Sequence, residues 1–325
     1  MPVDLLGRAY FLQSEFEKNV RMLGRSAALF ERDGNRIEEA TARGGLGWSL
    51  AVIGQFHRAL EEADRGVALA QEIGHLPTEA ACCMYRACAR FPRGHWRQAI
   101  EDARRSLSIG ERIGDAFRVY LTSGFLGGFL VMSGGLEEGL ALLGQAVRAA
   151  ERLRTKQGLG SFLVFLAEAG LARGAMAQAD RRCREAIALA RGQSDRWCEA
   201  WARRVLAETL WRGAPPNLDG AEHEILEATR IQREIGALPD LARSLLTYGW
   251  ILEVRGEGER AREANPMHRV IDIKRDADPW EVTTTENQLA GKIARHIKNH
   301  FKGAKAKVHF VGDPSDVEEI TITFE

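Results

Sequence analysis

Leu46-Gly47-Trp48-Ser49-Leu50-Ala51-Val52-Ile53-Gly54-Gln55-Phe56-His57-Arg58-Ala59 decides how this chain is read, because its parts return every forty residues. Gly54, Phe56 and Ala59 become Gly94, Trp96 and Ala99, then Gly134, Leu136 and Gly139, then Gly174, Met176 and Ala179. An earlier copy is degenerate, with Ser14, Phe16 and Asn19, and later copies sit at Ala221, after a short insertion, and at Gly256, Gly258 and Ala261. A period of this length means stacked supersecondary units rather than one globular core. Such a stack is a binding surface more often than a catalyst.

A second column keeps the same period. Gly7, Gly47, Ala87, Gly127, Ala167, Ala207 and Gly249 are all small, and Leu6, Leu46, Leu126, Leu166 and Leu206 precede them. Arg86 and Tyr248 break the leucine column. A small residue beside a large one lets two helices approach and interlock. Gly34, Gly74, Gly114 and Gly236 fit helix ends, and Pro77 and Pro239 fit the first turns that follow. Each unit therefore reads as two antiparallel helices joined by a short turn.

These residues, Leu46-Gly47 with Gly54, Phe56 and Ala59, resemble the tetratricopeptide pattern stretched to forty residues. The resemblance covers residues 3–264. More narrowly, LGRAYFLQSEF, GWSLAVIGQFHRALE, GDAFRVYLTSGFLG and TLWRGAPPNLDGAE resemble the C-terminal repeat region of large bacterial signalling proteins. Those proteins pair such repeats with an adenylate/guanylate cyclase domain or an AAA-type ATPase, much as maltose-regulator-type activators do. The resemblance implies a sensing or binding role. It carries over no catalysis, since no GxxxxGK[ST] and no helix-turn-helix is found here.

Composition agrees with an ordinary soluble protein: 45% hydrophobic, 28% charged, and a formal charge of +0. Length alone suggests about two domains. Balanced charge implies no polyelectrolyte partner, so nucleic acid is not expected. No apolar run reaches membrane-spanning length and Met1 to Phe16 does not read as a signal peptide, so a cytoplasmic protein without a membrane partner is expected. Cys82, Cys83, Cys88, Cys183 and Cys198 form no CxxC pair and read as reduced, buried thiols.

The pattern fails at Asn265-Pro266. Residues 267–325 carry six lysines where residues 1–266 carry two, and they hold four of the eight histidines. This tail reads as β-α-β-β: a strand at Val270 to Ile273, helix caps at Thr283 to Thr285, and an apolar helix face of Leu289, Ile293, Ile297 and Phe301. Strands over Lys305 to Val311 and Ile320 to Glu325 follow. Two units are expected: a solenoid over 1–264 and a small α/β module over 265–325.

In a tetratricopeptide array the first helix of each pair lines the concave face. Projecting the Gly47 register places Trp48, Met84, Cys88, Phe91, Val164, Glu168, Trp201, Arg204, Glu208, Trp211, Arg243, Trp250 and Glu253 there. Tryptophan beside arginine is typical of anchors for a bound peptide or helix. The competing reading is that these rings only pack between repeats, and Phe56 and Trp96 are assigned to that packing outright. His296 and His300, four apart, are spaced to share a metal, but no HExxH accompanies them. Lys298, Lys302, Lys305 and Lys307 are balanced by Asp313, Asp316, Glu318 and Glu319 and read as solvated surface. Gly44-Gly45-Leu46-Gly47 lies inside a helix and lacks phosphate-loop context.

The expected architecture is thus a mostly α, right-handed solenoid of about six helical hairpins with a small C-terminal α/β module. The expected function is a non-enzymatic interaction or signalling scaffold, without cofactor, that holds a protein or peptide partner in its groove. Two alternatives stand beside it. One is a ligand-sensing regulatory fragment of a cyclase, ATPase or transcription-regulator system; the other is an enzyme or metal-binding module in the tail. The incomplete last repeat would be capped by the tail or by another copy of the chain.

Overall fold

A computed structural model describes residue 11, residues 13–254, and backbone strands over 270–274, 280–284, 304–310 and 318–324. The described helices run in one antiparallel series: α1 (Phe16–Arg32), α2 (Arg36–Val52), α3 (Phe56–Ile73), α4 (Leu76–Arg90), α5 (Trp96–Arg112), α6 (Ala116–Met132), α7 (Leu136–Leu153), α8 (Leu159–Ala172), α9 (Met176–Gln193), α10 (Arg196–Trp211), α11 (Leu218–Ile235) and α12 (Leu238–Val254). Helices α2 to α11 make five complete hairpins, flanked by the single helices α1 and α12. Calling the first helix of a hairpin A and the second B, α2, α4, α6, α8, α10 and α12 are A helices.

Local chemistry fixes where the A helices start. Asn35, Asp115, Asp195 and Asn217 each accept a backbone N–H from the first turn of the helix they precede, the last of them on the B helix α11. The turns of the repeat carry Gly54, Gly94, Gly134 and Gly174 at φ of 82°, 89°, 96° and 71°. Ser14 stands in the same column at φ 59°, a conformation that strains a residue with a side chain. The small-residue column explains hairpin closeness. Gly47 lies against Ala59 and Ala63, and Gly127 against Gly139 and Leu143, with no room for a Cβ.

Buried arginines clamp helices together, and one clamp recurs. Arg43 on α2 bonds Glu39 at 2.7 Å and Glu62 on α3 at 2.8 Å. Arg203 on α10 repeats this arrangement with Glu199 at 3.0 Å and with Glu224 on α11. A buried arginine with its fork filled by two carboxylates fixes register between the helices it joins.

The helical series closes on itself. Phe16 on α1 and Val52 on α2 pack with Ala200 on α10, Ile231 and Ile235 on α11, and Ala237. The α2–α3 turn completes this closure: Ile53 meets Gly236, and Gly54 meets Leu238 and Pro239. In an open solenoid each repeat touches only its neighbours. Here the first described hairpin also touches the last.

The strands β1 (Val270–Lys274), β2 (Trp280–Thr284), β3 (Ala304–Phe310) and β4 (Glu318–Phe324) pair antiparallel in the order β1-β2-β4-β3. Thr283 and Thr284, read above as helix caps, instead end β2, pairing with Glu319 and Glu318. A β-branched run after Trp280 favours extended backbone over a cap. The break at Asn265-Pro266, the helix expected from Glu286, and with it His296 and His300, lie outside the described residues.

Candidate functional site

The A helices α6 and α8 are apolar nearly all round. On α6, Tyr120 and every residue from Thr122 to Val131 are buried; on α8, so is Gly160 to Phe165. A helix with one solvent face cannot look like this. The physical reason is that closure of the series buries the concave face as well as the hairpin contact. Two glycines make room. The Phe162 ring occupies the space a Cβ would fill at Gly124, and Phe165 does the same at Gly128.

On the inward face of α2, α6, α8 and α10, aromatic rings meet in a closed cycle. Trp48 lies 5.6 Å from Phe125, Phe125 lies 6.4 Å from Phe165, and Phe165 lies 4.7 Å from Trp201. Trp201 lies 6.1 Å from Trp197, and Trp197 returns to Trp48 at 6.4 Å. Most of these contacts are edge-to-face, the attractive arrangement for aromatic pairs. Phe125, Phe165 and Trp197 were not among the residues projected onto this face. Trp197, Trp201 and Val205 on α10 follow the same i, i+4, i+8 stripe that carries Phe125 and Phe165, which is the signal that could have found them.

The projected residues divide into three groups. Met84, Cys88 and Val164 are fully enclosed in the core, and Phe91 stacks on Phe129 at 4.4 Å, so these are packing residues. Trp48 and Trp201 belong to the aromatic cycle. Trp96, assigned to interhelical packing, is instead 37% exposed and leans on Phe91 at 6.1 Å, because it opens α5 at the surface. Phe56 is buried as expected.

The remaining residues form a polar strip where α8, α10 and α12 meet. Arg204 is buried and donates to Glu168, and its other nitrogen donates to Glu208 at 3.3 Å. Glu208 also accepts from Arg212 at 2.9 Å, and Arg243 on α12 comes within 3.9 Å of Glu168. The Trp201 indole donates to Glu168 at 3.4 Å. Burial alone would push the Glu168 carboxyl up, but Arg204 and Arg243 beside it hold it below the usual carboxylate range. Beyond the strip, Trp211 packs on α11 and α12 with Ile225, Tyr248 and Ile251, and its indole N–H is buried with no hydrogen-bond acceptor. Trp250 is 40% exposed. The Glu253 side chain lies outside the described residues.

The five cysteines are free and buried. Burial pushes the Cys82 thiol up to about 12 and Cys83 up to about 11, which keeps both protonated and unreactive at neutral pH. Among the described residues, no helix is long and apolar enough to cross a membrane.

Among the described residues, five A/B hairpins flanked by two single helices, with small residues at the hairpin contact, make this chain a tetratricopeptide-like α-solenoid. No family model and no curated protein matches it. Solved structures do. The Rap conjugation gene regulator of plasmid pLS20, in complex with the Phr* peptide, is similar over 76% of this chain and 73% of its own, with a TM-score of 0.57 and 13% identity. A Rap protein complexed with Competence and Sporulation Factor is similar over 76% and 74%, with a TM-score of 0.55 and 15% identity. Aspartyl phosphate phosphatase F from Bacillus subtilis follows over 77% and 68%, with a TM-score of 0.51 and 12% identity. At these identities the likeness is one of fold.

Proposed function

We propose that the chain is a non-enzymatic regulatory scaffold that binds a peptide on the concave side of α8, α10 and α12. The observation that carries this is the strip of Glu168, Arg204, Glu208 and Arg243, which brings alternating charges from three successive A helices onto one face. An extended peptide presents backbone carbonyls and N–H groups in alternation, and such a strip offers it both donors and acceptors. Trp211 and Trp250 flank the strip. The half-buried Trp211 ring and the exposed Trp250 ring supply apolar anchors. That one solved structure of similar fold holds the Phr* peptide, and another holds Competence and Sporulation Factor, supports the reading. In this proposal residues 265–325 form a separate small α/β module built on the β1-β2-β4-β3 sheet.

The test is binding of a synthetic peptide pool to the full chain, with Trp211→Ala and Trp250→Ala as comparisons. Each change should weaken capture at least tenfold, the scale of an aromatic hot spot, while circular dichroism shows helicity unchanged. Unchanged capture by both variants overturns the reading.

A further inference from the structure

We propose that Phe11, Phe16 and Trp48 form a pocket for an aromatic side chain of a partner peptide, and that Trp197 is its built-in occupant, seated there by a closure that can open. This rests on the peptide-binding reading and adds to it the side chain recognised and the element that moves.

The pocket and its occupant come from opposite ends of the helical series. Phe11 lies 5.4 Å from Phe16 and 4.4 Å from Trp48, so three rings make one apolar recess at α1 and α2. The Trp197 indole enters it from α10, with ring centroids 6.3 Å from Phe11, 6.2 Å from Phe16 and 6.4 Å from Trp48. All three contacts are edge-to-face, at 72°, 84° and 75°. Three aromatic faces meeting one indole is the arrangement expected of a recognition pocket for a planar side chain.

What holds the occupant in place is local. Ser14 accepts the Trp197 backbone N–H at 2.9 Å and donates to the Asp195 carboxylate at 3.5 Å. The Trp197 indole N–H donates to Asp240 on α12 at 2.7 Å, which aims the ring from the α10–α12 side. Opening the closure parts these contacts together with the packing of Phe16 and Val52 on Ala200, Ile231 and Ile235, and leaves the backbone hydrogen bonds within the helices intact.

Two features mark the closed state as costly to hold. Ser14 sits at φ 59° in a column otherwise occupied by glycine, a strain that persists only because the surrounding contacts impose it. Asp195 is desolvated there with N–H and O–H donors as its partners rather than a cation. Strained and desolvated groups gathered at one contact between otherwise self-sufficient hairpins are what a reversible contact requires.

Ser14→Ala tests this on the full chain, since it keeps the strained Cβ at φ 59° and removes only the hydroxyl. Hydrogen exchange should quicken about fivefold, the scale of one lost hydrogen bond, at the start of α10 and at the α2–α3 turn together, with the other turns unchanged. N-acetyl-tryptophanamide, an indole probe, should bind this variant more tightly than the unaltered chain. Trp197→Ala empties the pocket, and the same probe should bind it and slow exchange at the α2–α3 turn. Exchange that stays unchanged in Ser14→Ala, or equal probe binding by Ser14→Ala and the unaltered chain, overturns the proposal. No peptide is used, so failure of the Trp211 and Trp250 test leaves this result standing.

Discussion

The hydroxyl of Ser14 accepts the amide proton of Trp197 at 2.9 Å, joining residues 183 positions apart. Ser14 occupies the place of Gly54, Gly94, Gly134 and Gly174, and it is the copy whose side chain reaches another repeat. The degenerate first copy is therefore specialised rather than decayed. Asn19, its other departure, is buried and accepts from Ser49 on α2 at 2.5 Å. Gly54 in the same column meets Leu238 and Pro239 across the closure, but without a side chain of its own. Polar residues here serve contacts between helices of different hairpins.

Asp195 gives the closure a pH dependence. Burial raises its carboxyl above the ordinary value of 3.8, although N–H groups of Cys198 and Trp197 and the Ser14 hydroxyl pull it back in part. The folded state thus holds this proton more tightly than the unfolded state. Its contribution to stability is complete below 3.8 and is lost as pH rises through the raised value. Asp195→Asn keeps the oxygen that caps α10 and removes the charge, so its thermal midpoint at neutral pH should equal or exceed that of the unaltered chain. Asp195→Ala loses the cap and should cost about 1 kcal/mol. Thermal melts at pH 4 and pH 7 give both comparisons.

Arg204 should be the most sensitive charge in the polar strip. Arg204→Met leaves Glu168 buried with Arg243 at 3.9 Å as its nearest cation, and should cost about 3–5 kcal/mol. Adding Glu168→Gln should recover much of that, because the stranded charge is then gone. Glu168 itself titrates in the opposite sense to Asp195. Its folded-state value lies below 4.5, so its contribution is present above 4.5 and lost as pH falls toward the depressed value. Urea unfolding of the single and double variants at pH 7 separates pairing from simple loss of packing.

Gly124→Ala and Gly128→Ala probe the filled concave face directly. The added methyl occupies the place of the Phe162 or Phe165 ring, so each change should destabilise by about 1–3 kcal/mol. Phe165 packs edge-on against Trp201 at 4.7 Å. Gly128→Ala should therefore also shift the tryptophan emission, while Gly144→Ala on α7, where a Cβ meets only the far end of Arg148, should stabilise by about 0.5–1 kcal/mol and leave the emission unchanged. Equal behaviour of all three variants would sink the filled-face description.

The repeat told where helices begin, turn and touch their immediate partners, because those events depend on residues within one forty-residue period. Leu46 with Gly47, the turn glycines and the caps at Asn35 and Asp115 are all local chemistry. One signal for the filled interior was also present: GFLGGFLVM in α6 and SFLVFLAEAG in α8 are too apolar to line an open groove. It was legible as hydrophobicity but not as a location. The same holds for the run at Trp280, whose partners in β4 lie some forty residues downstream and so leave no trace in local propensity.

By itself the sequence determined a stack of helical hairpins and the register of each, but its projection of the inward stripes missed Phe125, Phe165 and Trp197. Only the tertiary structure decided that the stripes meet. The angle between successive hairpins is a small rotation set by packing at each contact, and closure is the sum of those rotations over five hairpins. That sum brings Trp197 to Trp48 and Ser14 to Asp195, and fills part of a surface expected to stand open with the chain's own rings.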